Sequence, residues 1–510
     1  MESPTGTTED RWARRWPWVL ALVAVGAWVL RALPFFHRHG ALGAIIHFDE
    51  SVYFGASSML WRGLLPYRDF VFVHPPGSSL LLAPVSALST LVDPAVGFAA
   101  ARYACTLAGG VSTFLAGRLA LRLWGPAAGL AAALAYGLSP DIVDRERGPF
   151  LDPLLNLTCL ALATACLLPV AVGRERRRAL WAGGLAGLAV AVKVLGGVWA
   201  AAAVLSRVPG RWHTRFILAA GLTLVALVGP FFAASPSGFI RDVWWFQTNR
   251  VADGSMDRWF RLQDMLPERR MGVVVLVGLG LAVALVRTVW TRGRDRTPER
   301  FVALAYVLSL AANLLARSYW PTYNAFLAPA EALLAGLGAG ALVGWGTHLG
   351  RWPRRVAFAL VVLIPLHSLR ETLKGVKYLV PEQALLWRYM REQVPADAVV
   401  CSFDPGWLMM SGRLPPVLEG LPVVVDPYAL QLEETMGAGV AVPDATAAMR
   451  HPSSQTRMRK LLEHCDFTIL GWRGRWQLSP ESFQWFQSTH VQRLSTEHWL
   501  KLDLWERTAR

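Results

Sequence analysis

Apolar residues run along this chain in blocks, and polar residues gather between them. Blocks approaching the ~20 residues needed to cross a bilayer recur from residue 16 to residue 370. The first covers 16–33, and three more follow at 96–121, 127–142 and 150–172. A Gly-rich pair, 179–192 and 194–205, is short in each half and meets at Lys193, which predicts a tilted or broken pair of helices. Further blocks stand at 216–234, 271–289, 301–316, 325–343 and 356–369. The pattern predicts a polytopic α-helical membrane protein of about eleven spans.

Two regions break the pattern. Residues 35–93 form a long polar-aromatic stretch after the first span. Within it Val52, Tyr53, Ala56, Met59 and Leu60 recur at three- and four-residue spacing, and Gly63 stands where a C-terminal cap belongs. This predicts an amphipathic helix suited to a membrane surface. Pro66-Tyr67-Arg68-Asp69 and the rigid turn His74-Pro75-Pro76-Gly77 follow. From 371 to 510 the composition is that of a soluble domain. Strands are predicted at 398–403, 466–470 and 500–505 and helices at 382–393 and 457–464, enough for a small α/β domain.

Charge sets the orientation. The chain is 54% hydrophobic and only 17% charged, with a net charge of +15; soluble proteins carry about 25% charged residues. The Arg clusters stand between apolar blocks: Arg174, Arg176, Arg177 and Arg178; Arg207, Arg211 and Arg215; Arg292, Arg294, Arg296 and Arg300; Arg351, Arg354 and Arg355. Such loops face the cytoplasm. No basic nucleic-acid-binding motif appears, so nucleic acid is not an expected partner. Residues 1–15, with Arg11, Arg14 and Arg15, then form a cytoplasmic tail, and 35–93 and 371–510 lie outside. The segment 235–270, with six Arg, is an exception, but it also carries Asp242, Asp253, Asp257, Asp264 and Glu268. No cleavage site follows the first apolar block, which reads as a retained helix. Cys105, Cys159 and Cys166 fall in apolar blocks as packing residues. Cys401 and Cys465 admit two readings, a disulfide or two free buried thiols.

The polar groups predicted on the outer side are the candidates for chemistry. Asp49-Glu50 begins the amphipathic helix, and the local reading is a cap at Asp49 with Glu50 complementing the dipole. His74 precedes a Pro-Pro turn. Arg145, Arg147 and Arg317 could snorkel to headgroups, and Asp152 stands at a helix start before Pro153. Lys193, flanked by apolar runs, fits a structural role least well. Together they suggest a cavity at the outer membrane face, with cations for a phosphate leaving group and a carboxylate to take a proton from an attacking hydroxyl.

Asp49-Glu50 shortly after the first span, Gly63-Leu64-Leu65-Pro66-Tyr67 and His74-Pro75-Pro76 resemble the GT-C glycosyltransferases. That superfamily includes the protein O-mannosyltransferases (family 39 type) and the aminoarabinose transferases acting on lipid A. Arg147-Gly148-Pro149-Phe150-Leu151-Asp152 is similar to the Arg-x-x-x-x-Asp at the start of their fourth span. Lys193 after a Gly/Ala-rich run, and the aromatic-rich stretch 317–329, extend the resemblance over roughly residues 15–370.

The resemblance implies a GT-C fold for residues 16–370. It further implies an enzyme of the bacterial plasma membrane that moves a monosaccharide, with inversion, from a polyprenyl-phosphate donor to an extracytoplasmic glycan, lipid or protein acceptor. Asp49 would be the base and Glu50 and Asp152 supporting acids. His74, Arg147, Lys193 and Arg317 would bind the donor phosphate. Some relatives hold a divalent metal there; here Val73 stands where the aminoarabinose transferases have a metal-holding Glu, which leaves metal use open. The alternative is a transporter or lipid flippase, whose expected sign is an internal repeat. The long stretch 35–93 has no such counterpart later in the chain. The outer domain has no Gly-rich phosphate loop, and no catalytic role is expected of it.

Overall fold

The computed structural model describes residues 8–208, 210–251, 253–254, 257–266, 270–290, 297–496 and 502–508. Arg292, Arg294, Arg296, Glu268 and the first two residues of the strand expected at 500–505 lie outside the described residues.

Helices stand at all eleven expected positions. They are α1 (Thr8–Ala32) and, after the stretch with α2 (Phe48–Trp61) and α3 (Gly77–Ser86), α4 (Pro94–Trp124), α5 (Pro126–Gly137) and α6 (Leu151–Leu167). The series continues with α7 (Glu175–Val192), α8 (Gly197–Leu205), α9 (His213–Ala234), α10 (Met271–Trp290), α11 (Thr297–Leu315), α12 (Ala328–Leu349) and α13 (Arg351–Lys374). Among the described residues seven helices are long and apolar enough to cross a membrane: α1, α4 and α9 to α13. The expected count of eleven therefore holds for helices but is not established for spans. The third block is the clearest case. Helix α5 has 12 residues, about 18 Å at 1.5 Å per residue, against the ~30 Å of a hydrocarbon core. It stops at Gly137 because Ser139 is held extended before Pro140, and the rest of the expected span becomes a short helix, Pro140–Arg145.

Close approach of small residues holds the bundle together. Helix α12 packs against α10 and α5, α4 against α1 and α5, and α7 against α6 and α9. A Cβ at Gly280 would stand 2.0 Å from the Leu334 carbonyl oxygen, so α10 and α12 meet only because no side chain intervenes. Cys105, Cys159 and Cys166 are free and buried in these helices. Some of the buried charges are paired. Arg31 at the end of α1 donates to Glu146 at 2.6 Å, and the Tyr136 hydroxyl donates to the same carboxylate at 2.6 Å.

After α13 the chain forms a four-stranded sheet in the order β1 (Val400–Ser402), β2 (Phe467–Leu470), β4 (Asp503–Arg507), β3 (His490–Ser495). The β1–β2 pair is parallel and the other two are antiparallel. Strand β3 was not predicted: its buried–exposed pattern carries a single fully buried residue, His490. Helices α14 (Pro381–Gln393), α15 (Pro405–Met410), α16 (Pro427–Gly437), α17 (Pro452–Leu462) and α18 (Pro480–Thr489) surround the sheet. Cys401 and Cys465 are bonded to each other.

The amphipathic helix departs from expectation. Helix α2 is buried along most of its length, including Glu50, Val52, Phe54, Ala56, Ser57 and Met59. Its second face is covered by the C-terminal region: a Cβ at Gly55 would stand 3.0 Å from Met409 Cε and 3.3 Å from Val425 Cγ1. Phe54 and Ile46 share a core with Leu386, Trp407 and Leu504. The apolar stripe reads as a membrane-surface face from local sequence; in the fold it meets protein.

Candidate active site

The start of α2 sorts the two acidic residues. His47, not Asp49, is the N-cap, with an extended backbone. The carboxylate that satisfies the helix start is Glu50, whose Oε1 accepts the His47 N–H at 2.8 Å. Glu50 is also bound by Arg102 of α4 in a two-bond pair, Nη2 to Oε1 at 2.6 Å and Nε to Oε2 at 3.0 Å, with both residues 1% exposed. Gly148 presses on this pair from the loop before α6, where a Cβ would fall 2.1 Å from Glu50 Oε2. Asp49 is thereby released from capping. It is exposed and has no hydrogen bond or ion pair to any described residue. The local reading of Asp49 as the cap is corrected: His47 is the cap residue, and the Glu50 side chain binds its backbone N–H.

The two turns after α2 work as one unit. Gly63, at φ +82°, ends the helix, with the Leu64 N–H returning to the Met59 carbonyl. Tyr67 sits at φ +71°, a left-handed conformation that a bulky residue holds only under surrounding constraint. From there its hydroxyl donates to the His74 carbonyl at 2.6 Å. The same strip is pinned from the segment after α9: Asp242 accepts the Phe72 N–H at 3.1 Å, and Gln247 donates to the Val73 carbonyl at 2.8 Å. His74 Nε2 lies 3.3 Å from the Tyr53 hydroxyl. Burial, with Lys193 and Arg250 nearby, lowers its pKa to about 3, so the imidazole is neutral.

Lys193 is where α7 breaks. Its backbone is extended, φ −156° and ψ 135°, between the end of α7 and the turn Val194–Gly196 before α8. A Cβ at Gly77 would meet the Ala191 carbonyl at 2.4 Å, so the missing side chain lets the His74 turn sit against the break. Lys193 Nζ lies 3.5 Å from Asp152 Oδ1 and 5.4 Å from the Tyr323 ring centre. Tyr323 accepts from Arg250 Nη2 at 3.3 Å. His74, Asp152, Lys193, Arg250 and Tyr323 therefore form one group. Tyr53 joins it to Asp49: burial and the Asp49, Asp152 and Asp426 carboxylates around it push the phenol's pKa well up.

The other predicted residues stand apart. Arg147 donates to the Gly375 carbonyl at 3.2 Å, lies 3.9 Å from Asp144, and lines a separate cleft with His47 and Lys377. Arg145 pairs with Asp144 at 3.2 Å. Arg317 is exposed after α11 and makes no hydrogen bond or ion pair to a described residue.

Several site residues were not singled out in the sequence, Tyr53 and Tyr323 among them. Arg250 is one of six arginines in a mixed-charge segment. Asp426, Tyr428 and Arg473 come from the C-terminal region, from which no catalytic contribution was expected. Arg473 stacks on Phe48, 4.3 Å from the ring centre. Asp426 is buried at the start of α16, where it accepts the Ala429 N–H at 2.9 Å. Burial raises its pKa to about 6, and Asp49 adds to the shift. Asp404, also near 6 through burial, accepts from Ser51 of α2 at 3.3 Å. Tyr428 donates to Asp253, next to Arg250. The signal available was only Asp-Pro at 404–405 and 426–427, a helix-start signature.

Among the described residues no three His, Cys, Asp or Glu side chains converge as a metal-binding group, and the residue before His74 is Val73. These residues do not fit a protein-held divalent ion, and no step below runs through one.

The sequence model of glycosyltransferase family 87 matches residues 72–318, just under half of the chain. None of the curated proteins matches in sequence. In structure the chain is similar to ArnT from Cupriavidus metallidurans in the apo state, with TM-score 0.63 and 14% identity over 96% of this chain and 97% of that one. ArnT bound to undecaprenyl phosphate gives TM-score 0.62 and 15% identity, covering 99% of both chains. The apo oligosaccharyltransferase of Archaeoglobus fulgidus gives TM-score 0.58 and 11% identity over 90% of this chain and 69% of that one. The fold is that of the GT-C glycosyltransferases, and the model of glycosyltransferase family 87 matches residues 72–318.

Proposed function

We propose that the protein transfers a monosaccharide from a polyprenyl-phosphate donor to an extracytoplasmic glycan, lipid or protein acceptor, with inversion at the sugar carbon. The observation that carries the reading is the division of charge around Tyr53. On one side stands Asp49, exposed and unpaired. On the other stand Lys193, Arg250 and the Tyr323 hydroxyl.

In the proposed reaction the acceptor hydroxyl oxygen attacks the anomeric carbon and forms the new C–O bond. The bond from that carbon to the donor phosphate oxygen breaks, and its electron pair leaves with the phosphate. Lys193, Arg250 and Tyr323 stabilise the phosphate as charge develops. Asp49 takes the hydroxyl proton. Neutral His74 orients through Tyr53 and can donate a hydrogen bond to a phosphate oxygen. Asp152 holds Lys193, and Glu50 holds the helix on which Asp49 sits. The fold's likeness to ArnT, which has been seen bound to undecaprenyl phosphate, supports a polyprenyl donor. The transporter alternative is not favoured by the family model.

The proposed arrangement in the bacterial plasma membrane is a cytoplasmic tail (1–15), a catalytic membrane domain (16–370) and an outer domain (371–510). The Cys401–Cys465 bond supports the outer placement of the last, since disulfides persist in oxidising compartments. The test is to incubate membranes with a panel of polyprenyl-phosphate sugars and follow sugar loss. Wild type should consume one of them and Asp49→Asn should not; full activity in Asp49→Asn would remove Asp49 as the base.

A further inference from the structure

We propose that the cleft around Arg147 and Lys377 is a second phosphate-binding site, separate from the group formed by Lys193 and Arg250. Glu50 and Arg102 line one wall of this cleft, with His47, Asp144 and Gly375 around it. Asp49 and Lys193 do not line it.

The charges in the cleft do not cancel. Glu50 and Arg102 neutralise each other through their two hydrogen bonds. Asp144 has its nearest cation in Arg145 at 3.2 Å, with His47 and Arg147 farther away at 3.8 and 3.9 Å. Burial lowers the His47 pKa and keeps that ring neutral. Arg147 and Lys377 remain as the excess. Arg147 is more than nine-tenths buried, yet among the described residues only Nη1 has a hydrogen-bond partner, the Gly375 carbonyl; Nε and Nη2 have none. A buried guanidinium with two unsatisfied nitrogens is costly unless an acceptor completes it. A planar fork beside an ammonium matches phosphate oxygens.

The position agrees with that ligand. Pro34 stands in the short turn Leu33–Phe36 that follows α1, and Gly375 and Lys377 follow the end of α13. Both helices are candidate spans by length and composition, and a cleft at the ends of two spans would stand at the level of phospholipid phosphates. The ligand is a phosphate ester or phosphate ion, and its source is either a lipid headgroup or a soluble phosphate. The inference does not depend on the proposed transfer chemistry.

The experiment is native mass spectrometry of the full-length protein in neutral detergent. The probes are short-chain phosphatidylglycerol and inorganic phosphate, each added alone and together. Wild type should hold one probe molecule, and Lys377→Gln should weaken it about tenfold, as expected for loss of one charge-assisted contact. Arg147→Gln should weaken it further, and Arg250→Gln should leave it in place. Phospholipid bound and not displaced by phosphate supports the headgroup source; displacement supports the soluble one. Unchanged binding of both probes in Lys377→Gln and Arg147→Gln overturns the proposal. So does equal loss in Arg250→Gln, which would assign the bound molecule to the donor side. Lys377 is exposed, so its variant keeps the test valid even if Arg147→Gln fails to fold.

Discussion

Asp49 and Glu50 are adjacent, identical in charge type, and predicted to fail in opposite ways. Glu50 and Arg102 are each 1% exposed and joined by two hydrogen bonds. Glu50→Gln keeps the shape and removes the charge, leaving the Arg102 guanidinium buried without a counter-ion. Breaking a buried pair in this way costs about 3–5 kcal/mol, a large part of the ~5–15 kcal/mol that holds a typical domain together. Asp49 has no partner to lose, so Asp49→Asn should change stability by no more than about 0.5 kcal/mol. Its expected effect is on rate, where a general base contributes about 10²–10⁴-fold. The assay pairs denaturant unfolding of each purified variant in detergent with its transfer rate on the donor found in the panel. A Glu50→Gln protein as stable as wild type but inactive would refute the division of labour. An Asp49→Asn protein destabilised by several kcal/mol would refute it equally.

Three further predictions follow from the same geometry. His74 has a folded pKa near 3 against 6.5 in the unfolded chain, so its contribution to stability is intact above about pH 6.5 and is lost as pH falls toward 3, because only the unfolded chain takes up the proton; His74→Gln should flatten that part of a stability-versus-pH profile. Arg250→Gln and Lys193→Gln should each raise the KM for donor roughly tenfold or more with little change in the KM for acceptor, and an effect confined to acceptor would move both residues to the other substrate. Replacing Cys401 and Cys465 by Ser opens a connection of 64 residues and should cost about 4 kcal/mol in the chain-entropy account, read by thermal unfolding of the oxidised wild type beside the double variant.

Some of this site is legible in the sequence for identifiable reasons. Lys193 stands out because a charge between apolar runs has few structural uses, and it marks the break in α7 as expected. Gly63 and the His74 turn are legible because Gly and Pro fix local backbone. The division between Asp49 and Glu50 was not, since which residue caps depends on a one-residue register at the helix start. Arg250 was hidden among five other arginines, with no periodicity to distinguish it. Asp426 and Arg473 were beyond reach because local sequence reports helix starts, not what they face. The surface-helix reading of α2 failed for the same reason: an apolar stripe does not say whether lipid or protein will cover it.

The contact between α2 and the C-terminal region sets an order of assembly. Ser51 and Asp404 are hydrogen-bonded across 353 positions of chain, so the helix bearing Asp49 is made early and covered late. Every later helix and the final segment must be in place before that face is enclosed. An unfinished chain would hold Lys193, Arg250 and Tyr323, since all three precede α12. It would lack Asp426, Arg473 and the cover over Gly55. Ribosome-bound chains halted after α13 should therefore leave α2 accessible to a water-soluble labelling reagent, and the completed protein should shield it.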